Sequence, residues 1–287
     1  VLLFLILMIL LYIPPVQNLL RREVTAYASK ATGMQIQVER IDLRFPLNLL
    51  VRGVEVIQQP DTLLSLESLN VRVQAWPLVK GKVEVDEVTL SQVAFNSANL
   101  IEGMKIKGVL GRFFLQSHGV DLSNELAVIN QTELSDTHVQ MLMNDTTTTP
   151  KDTTASAPVN WKVDLHKLKL KNVSFSMQLP ADSMRMAAHI GEAFINDAQA
   201  DLKNQFYELK QFLLSGSSAN YDTGAAKPGE GFDASHIAVR DIRIGLDSLL
   251  YKGRDMNAVI REFSMNERSG LSITSLTGLS LIHISEP

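Results

Sequence analysis

The order of apolar and polar positions predicts one helix followed by a long series of β-strands. Between Val16 and Ala31 the apolar residues recur at helical spacing, and Gly33 provides a C-terminal stop. After Gly33 the apolar residues alternate with polar ones at a period of two, with short polar breaks between the runs. The chain is therefore predicted to be mostly β, with one amphipathic helix over 16–33.

One pattern recurs along the predicted strands: two apolar residues separated by one position, then two polar positions, then a second such apolar pair. The four strict copies are Ile36, Val38, Ile41, Leu43; Leu64, Leu66, Leu69, Val71; Val83, Val85, Val88, Leu90; and Val163, Leu165, Leu168, Leu170. Looser copies are Leu49, Val51, Val54, Val56 and Ile237, Val239, Ile242, Ile244. With 45% apolar residues, about one strict copy is expected by chance, so four indicate a shared structural requirement.

The second polar position in this pattern predicts a bend in each strand. In a flat strand it would move the second apolar pair to the opposite face, whereas a β-bulge keeps both pairs on one face. Repeated bulges give a long, curved, antiparallel-type sheet with an apolar groove. The alternative is that each extra residue ends a strand of a β-sandwich. The residues predicted to line the groove are Val38, Leu43, Leu66, Val71, Val85, Leu90, Leu165, Leu170, Val239 and Ile244.

The first residues predict attachment to a membrane. Residues 1–13 contain no charge, and two prolines follow, so 1–15 is predicted to be an uncleaved transmembrane signal anchor truncated at its start; a cleaved signal peptide is the alternative. Arg21 and Arg22 oppose export of the downstream chain by the positive-inside rule. The further predicted segments are a first groove segment (34–143), a Thr-rich linker (144–160), a second groove segment (161–280) and a non-native tail (281–287). Within the second groove segment, the stretch Gly216–Gly231, rich in Gly, Ser and Ala, is predicted to be a surface loop or linker.

Composition excludes several classes of function. The formal net charge of -4 provides no basic excess for a nucleic acid, and the absence of cysteine removes disulfides and thiolate chemistry. The six histidines lie far apart at spacings unsuited to a metal, and the chain contains none of the common nucleophile or nucleotide-binding motifs. We expect neither an enzyme nor a cofactor. Phe113, Phe114 and the run 141–143 are weaker candidates for apolar contacts, with ordinary core packing as the alternative.

Three stretches resemble the start of AsmA-like proteins, particularly the TamB branch in Bacteroidetes-type bacteria. They are the anchor with the helix that follows it, the sequence Ile41–Val56, and Val83–Phe95. This resemblance implies an inner-membrane anchor and a periplasmic β-taco groove that takes part in phospholipid transport and outer-membrane protein assembly. It also implies contact with an outer-membrane assembly barrel through a C-terminal region that this chain lacks. The resemblance provides no catalytic residues.

The sequence therefore predicts a single-pass inner-membrane protein with most of the chain in the periplasm. An apolar sheet face without helices to cover it favours an acyl-chain cargo, such as a phospholipid. The alternative is an anchored structural or adhesive β-sandwich or solenoid whose apolar faces are closed against each other.

Overall fold

Twelve β-strands form one sheet in the order of the sequence, and the sheet is long, curved and unclosed. The computed structural model describes residues 12–45, 47–74, 76–77, 84–121, 124–144, 160–224, 227–253 and 255–283. Residues 1–11 of the predicted anchor, residues 145–159 of the predicted linker, Val83 and residues 284–287 lie outside these ranges. Within them, no helix has the length and apolar character needed to cross a membrane.

Helix α1 (Pro14–Thr32) lies beside the first strand of the sheet. Pro14 and Pro15 open the helix, where a missing backbone N–H costs nothing, and Gly33 ends it in a left-handed conformation at φ 70°, as predicted. Side chains of α1 satisfy backbone groups of β1: Arg21 donates to the Glu39 carbonyl at 2.7 Å, and the Ser29 hydroxyl accepts from the Ile36 N–H at 3.1 Å. The helix therefore caps the outer edge of β1, which an uncovered sheet would expose to other strands.

The strands lengthen along the chain and shorten again at the end. In order they are β1 (Gln35–Arg44), β2 (Asn48–Gln58), β3 (Asp61–Val73), β4 (Val85–Asn96), β5 (Met104–Asp121), β6 (Leu126–Met143), β7 (Lys162–Leu179), β8 (Met184–Asp201), β9 (Phe206–Thr223), β10 (His236–Lys252), β11 (Asp255–Glu267) and β12 (Ser272–His283). A short 3-10 turn, Pro180–Asp182, joins β7 to β8.

Every neighbouring pair of strands is antiparallel except β6 and β7, which are parallel. Leu126 pairs with Lys162, and Leu142 pairs with Gln178. The connection after Met143 therefore returns to the end of the sheet at which β6 begins. The two predicted groove segments are joined edge to edge in one sheet, and this parallel junction is the departure from the predicted antiparallel arrangement.

A line of irregular residues crosses the sheet and separates the apolar pairs of each strand. Gly53, Gln92, Asp136, Asn172 and Gly216 have φ between 50° and 58°, a left-handed conformation that Gly, Asn and Asp adopt most readily. Each lies in the middle of a strand, at the polar positions of the recurring pattern. These residues reset the alternation, so the apolar pairs on both sides of the line remain on one face.

The irregularity differs in form from the predicted bulge. Between β4 and β5, the pairs Ser91–Arg112 and Val93–Leu110 are each two residues apart on both strands, so Gln92 faces Gly111 and the register is unchanged. On neighbouring strands the extra residues lie directly opposite each other. If only one strand of a pair had an extra residue, the register of that pair would shift by one residue. Two-against-one register shifts of the predicted kind occur elsewhere, as between β9, β10 and β11.

One predicted loop is wrong in its first half. The Gly- and Ser-rich stretch from Gly216 to Gly231 was expected to be a surface loop, but β9 continues to Thr223. Gly216 is one of the left-handed residues of the irregular line, and Ala219 pairs with Ala188 and Val239. Small residues here reflect close contacts between strands: a Cβ on Gly191 would lie 2.6 Å from the Gly216 carbonyl oxygen.

The sheet is a single layer across the part of the chain that the structure describes. Each extensive contact between elements joins neighbouring strands, or joins α1 to β1. No described side chain is less than 2% exposed, so a fully enclosed core is absent there. The sandwich alternative requires a second sheet or a folded-over face, and neither is observed among these residues.

Candidate functional site

Two rows of side chains run across all twelve strands on one face of the sheet. We name the first the Leu90 row; directly paired residues carry it from strand to strand, and every member is apolar. Its members are Ile41, Val51, Leu69, Leu90, Phe113, Leu134, Leu170, Ala193, Leu214, Ile244, Phe263 and Leu276. At about 4.8 Å per strand, this row is about 50 Å long.

The second row, the Val88 row, lies on the same face, two residues from the Leu90 row along every strand except β11, where Ile260 and Phe263 are three residues apart. Thr132 and Gly278 are its two members that are not large and apolar. Its members are Leu43, Leu49, Val71, Val88, Leu115, Thr132, Leu168, Ile195, Phe212, Leu246, Ile260 and Gly278. We call the surface that contains both rows the apolar face.

All ten residues predicted to line the groove lie on the apolar face. Leu90, Leu170 and Ile244 belong to the Leu90 row, and Leu43 and Val71 belong to the Val88 row. The other five form pairs on the same face: Val38–Val54–Leu66–Val93, Val73–Val85, Ile129–Leu165–Ala198, and Ala219–Val239. The sequence did not predict that apolar residues on successive strands form two continuous rows.

The apolar face is sheltered but not covered. On β7, Val163, Leu165, Leu168, Leu170 and Val173 are all half-buried, whereas the polar side chains between them are mostly exposed. Over β5–β10 the apolar face extends for about 14 residues of each strand, which corresponds to roughly 1,000 Å² at standard strand spacings. Soluble monomers rarely leave so large an apolar patch open. Among the described residues, no helix or second sheet lies over this face.

The opposite face is a surface of polar and charged pairs, which we call the polar face. A row of polar side chains follows the irregular line across nine strands: Arg40, Arg52, Ser68, Ser91, Arg112, Ser135, Lys171, Glu192 and Ser215. Next to it, the Asn172 amide donates to the Asp136 carboxylate at 2.7 Å. These groups are satisfied in water and need no cover.

A second polar line crosses the long strands about six residues from the first. The His166 imidazole donates to the Asp197 carboxylate at 3.1 Å, and the Lys210 ammonium lies 3.8 Å from that carboxylate. The hydrogen bond from His166, with a smaller contribution from the charge of Lys210, lowers the pKa of Asp197. Further along, Arg261 pairs with Asp247 at 3.0 Å. These pairs link β7, β8 and β9, and separately β10 and β11, on the polar face.

Strand β8 is one of the strands of the apolar face that the sequence pattern did not identify. Its inward residues Ala188, Ala193 and Ala198 are spaced by five, and Ile190 and Ile195 follow at the same interval. Alanine is a weak marker of a buried strand, so the pattern of large apolar residues does not identify β8. A pattern that accepts alanine at the five-residue interval does identify it.

The weaker candidates divide between the two faces. Phe113 belongs to the Leu90 row, and Met141 pairs with Ile106 and Met177 on the apolar face. Phe114 lies on the polar face, where the Arg112 guanidinium stands 5.7 Å from its ring centre. Adjacent residues of a strand point to opposite faces, so only one member of each apolar doublet can contact an occupant of the apolar face.

Among the described residues, no group of three or more His, Asp or Glu side chains is arranged to hold a metal ion. The most distinctive surface of the described residues is the apolar face. It can exclude water from the apolar part of a molecule that binds to it.

Together, these features define the class: a single-layer, curved β-sheet with one continuous apolar face and one polar face. In comparisons with known proteins, no family model matches the chain and no curated protein matches it. The resemblance to AsmA-like proteins of the TamB branch therefore stays a prediction.

Proposed function

We propose that this protein holds acyl chains of lipid along its apolar face, as a membrane-anchored periplasmic bridge for phospholipid in outer-membrane biogenesis. The observation that carries the proposal is the pair of rows that run across twelve strands without a covering element among the described residues. In this proposal the apolar face is the concave side of the curved sheet. The membrane anchor rests on the uncharged apolar run at residues 1–13, and the periplasmic location and the outer-membrane barrel as partner rest on the sequence resemblance.

The energy of lipid transfer supports an acyl-chain occupant. Each CH₂ removed from water is worth about 0.8 kcal/mol, so a two-tailed lipid that crosses an aqueous gap unshielded faces a barrier of tens of kcal/mol. A surface about 50 Å long and apolar at every strand lowers that barrier along its whole length.

A protein occupant suits this face less well. The structural or adhesive alternative needs a second apolar layer to close the face, yet the chain's described residues form one layer. The total surface, 18533 Å², also exceeds the about 12,000 Å² expected for a compact monomer of this mass. An open sheet explains this excess directly.

A charge placed in the Leu90 row tests the proposal. Leu90 pairs with Leu69 and Phe113 on the apolar face, whereas its neighbour Thr89 pairs with Asn70 and Phe114 on the polar face. We expect Leu90→Asp to lower the phospholipid that co-purifies per protein by tenfold or more, because a carboxylate in an acyl environment costs about 2–3 kcal/mol. Thr89→Asp, the matched control, leaves the lipid content unchanged. Mass spectrometry of extracted lipid provides the measurement.

Urea unfolding of both variants separates a binding defect from a folding defect. If Leu90→Asp does not fold, Leu276→Asp replaces it, because Leu276 is 49% exposed on the last strand of the same row. Equal lipid content in the apolar-face and polar-face variants, or no lipid on the unmodified protein, would refute the proposal and favour the structural alternative.

A further inference from the structure

A recess in the apolar face lies over the end of β8. Its floor is made by Ala198 and Ala200, and its sides by Val163 and Leu165 of β7 and by Leu209 of β9; Tyr207, Leu249, Gln199 and Glu208 also line it. The recess is open to solvent and has a volume of about 230 Å³. We call this the alanine recess.

The recess follows from side-chain size and register. Leu165, Ala198 and Leu209 are directly paired across three strands, and so are Val163, Ala200 and Tyr207. At each level a one-carbon side chain therefore lies between two longer ones. Ile195, which pairs with Leu168 and Phe212, is the next residue of the apolar face on β8 beyond Ala198, about 17 Å from Ala200 at the standard rise.

The outer end of the recess is amphipathic. The rings of Tyr207 and Tyr251 lie with their centres 5.7 Å apart and tilted by 39°. A tyrosine presents an apolar ring and a polar tip, which suits the boundary between an acyl chain and a headgroup.

The width of the recess discriminates among occupants. The strands β7 and β9 are two strand spacings apart, about 10 Å, and their side chains narrow the opening further. A helix of 10–12 Å diameter is too wide to enter. A peptide strand laid on the face of a sheet would find no backbone partners and would lose its hydrogen bonds to water. A single acyl chain is narrow enough and has no polar groups to satisfy.

We propose that the alanine recess is a binding site for one acyl chain of an amphiphile, with the chain end toward Ile195 and the polar headgroup at the Tyr207–Tyr251 rim. This inference rests on the proposed function, and it adds a preferred position and orientation to a face that is otherwise uniform. The headgroup belongs to a lipid or a free fatty acid, since both present the same chain to the recess.

Photo-crosslinking with a 16-carbon fatty acid locates the chain. A diazirine at the chain end is expected to label peptides that contain Ile195 or Leu168, and a diazirine next to the carboxylate is expected to label those with Tyr207 or Tyr251. A phospholipid with the same photoreactive chain distinguishes the two sources of the headgroup. Both probes are applied to the full chain, and the adducts are mapped by mass spectrometry.

A variant with a large side chain in the recess is compared with a control variant that carries the same side chain on the polar face. Ala198→Trp is expected to reduce adducts at the recess at least fivefold. Ala187→Trp places the same ring on the polar face of the same strand, where Ala187 pairs with Ser176 and Asn220, and is expected to leave the yield unchanged. If Ala198→Trp does not fold, Ala200→Leu fills the same space with a smaller side chain.

The outcomes separate this inference from the proposed function. Adducts spread evenly over the apolar face, with no change in Ala198→Trp, overturn the recess and leave the lipid-holding function intact. A complete absence of adducts on the apolar face, with no co-purified lipid, overturns both.

Discussion

The two faces of β7 show how one strand serves two environments. On one face Leu165, Leu168 and Leu170 stand half-buried against other apolar side chains, while on the other His166, Lys169 and Lys171 are exposed. Covering the apolar face removes apolar side chains from water and is therefore favourable. The side chains of the polar face are hydrated and need no cover. Residues at the irregular line keep this separation where a regular strand would exchange the two faces. The line is therefore as important to the apolar face as the apolar residues are.

We expect the largest effect on the separation of the apolar and polar faces from a steric clash between residues of the irregular line. Gly191→Ala places a Cβ 2.6 Å from the Gly216 carbonyl oxygen, and backbone atoms cannot move aside without displacing the strand. We expect a loss of about 1–3 kcal/mol in the free energy of unfolding, measured by urea denaturation. Gly278→Ala is the control, because a Cβ there has no neighbour within 4 Å. Equal losses in the two variants would contradict this account of the line.

A smaller effect is expected where the line depends on backbone conformation. Asn172 has φ 52°, and a β-branched residue is strained in that region. Asn172→Val should lower the free energy of unfolding by about 1–2 kcal/mol. Asn172→Gly keeps the left-handed conformation without strain and should change stability little. If valine is tolerated as well as glycine, the left-handed residue does not set the separation of the faces.

The smallest effect is expected from pH on the polar face. The pKa of Asp197 is lowered mainly by the hydrogen bond from His166, so the stabilisation is complete above the unfolded pKa, about 4, and is lost as pH falls through the lower folded value. Asp197→Asn should make stability less dependent on pH below about 4, as followed by acid unfolding. Asparagine tolerates the φ of 48° at this position, so the backbone is not disturbed. An unchanged acid profile would show that this polar pair contributes nothing.

Much of the apolar face was predictable because side-chain direction in a strand is a local property. The ten groove residues were identified from apolar pairs separated by two polar positions, and all lie on one face. The extra residue was predicted to form a two-against-one bulge, whereas between β4 and β5 it lies at a left-handed residue in unchanged register. Strands β5, β6, β8 and β9 escaped the pattern because glycine, threonine, serine and alanine replace larger residues there, as at Gly108, Thr132, Ala198 and Ser217.

The sequence by itself determined which face each side chain of the recognised strands takes, because alternation and left-handed residues act within a few positions. The tertiary structure decided what the strands do together: the parallel junction of β6 and β7, the shared level of the irregular residues, and the two rows that cross twelve strands. It also made the alanine recess, since small residues on β8 form a hollow only between the longer side chains of β7 and β9. Register between strands depends on contacts distant in sequence, and no local pattern contains that information.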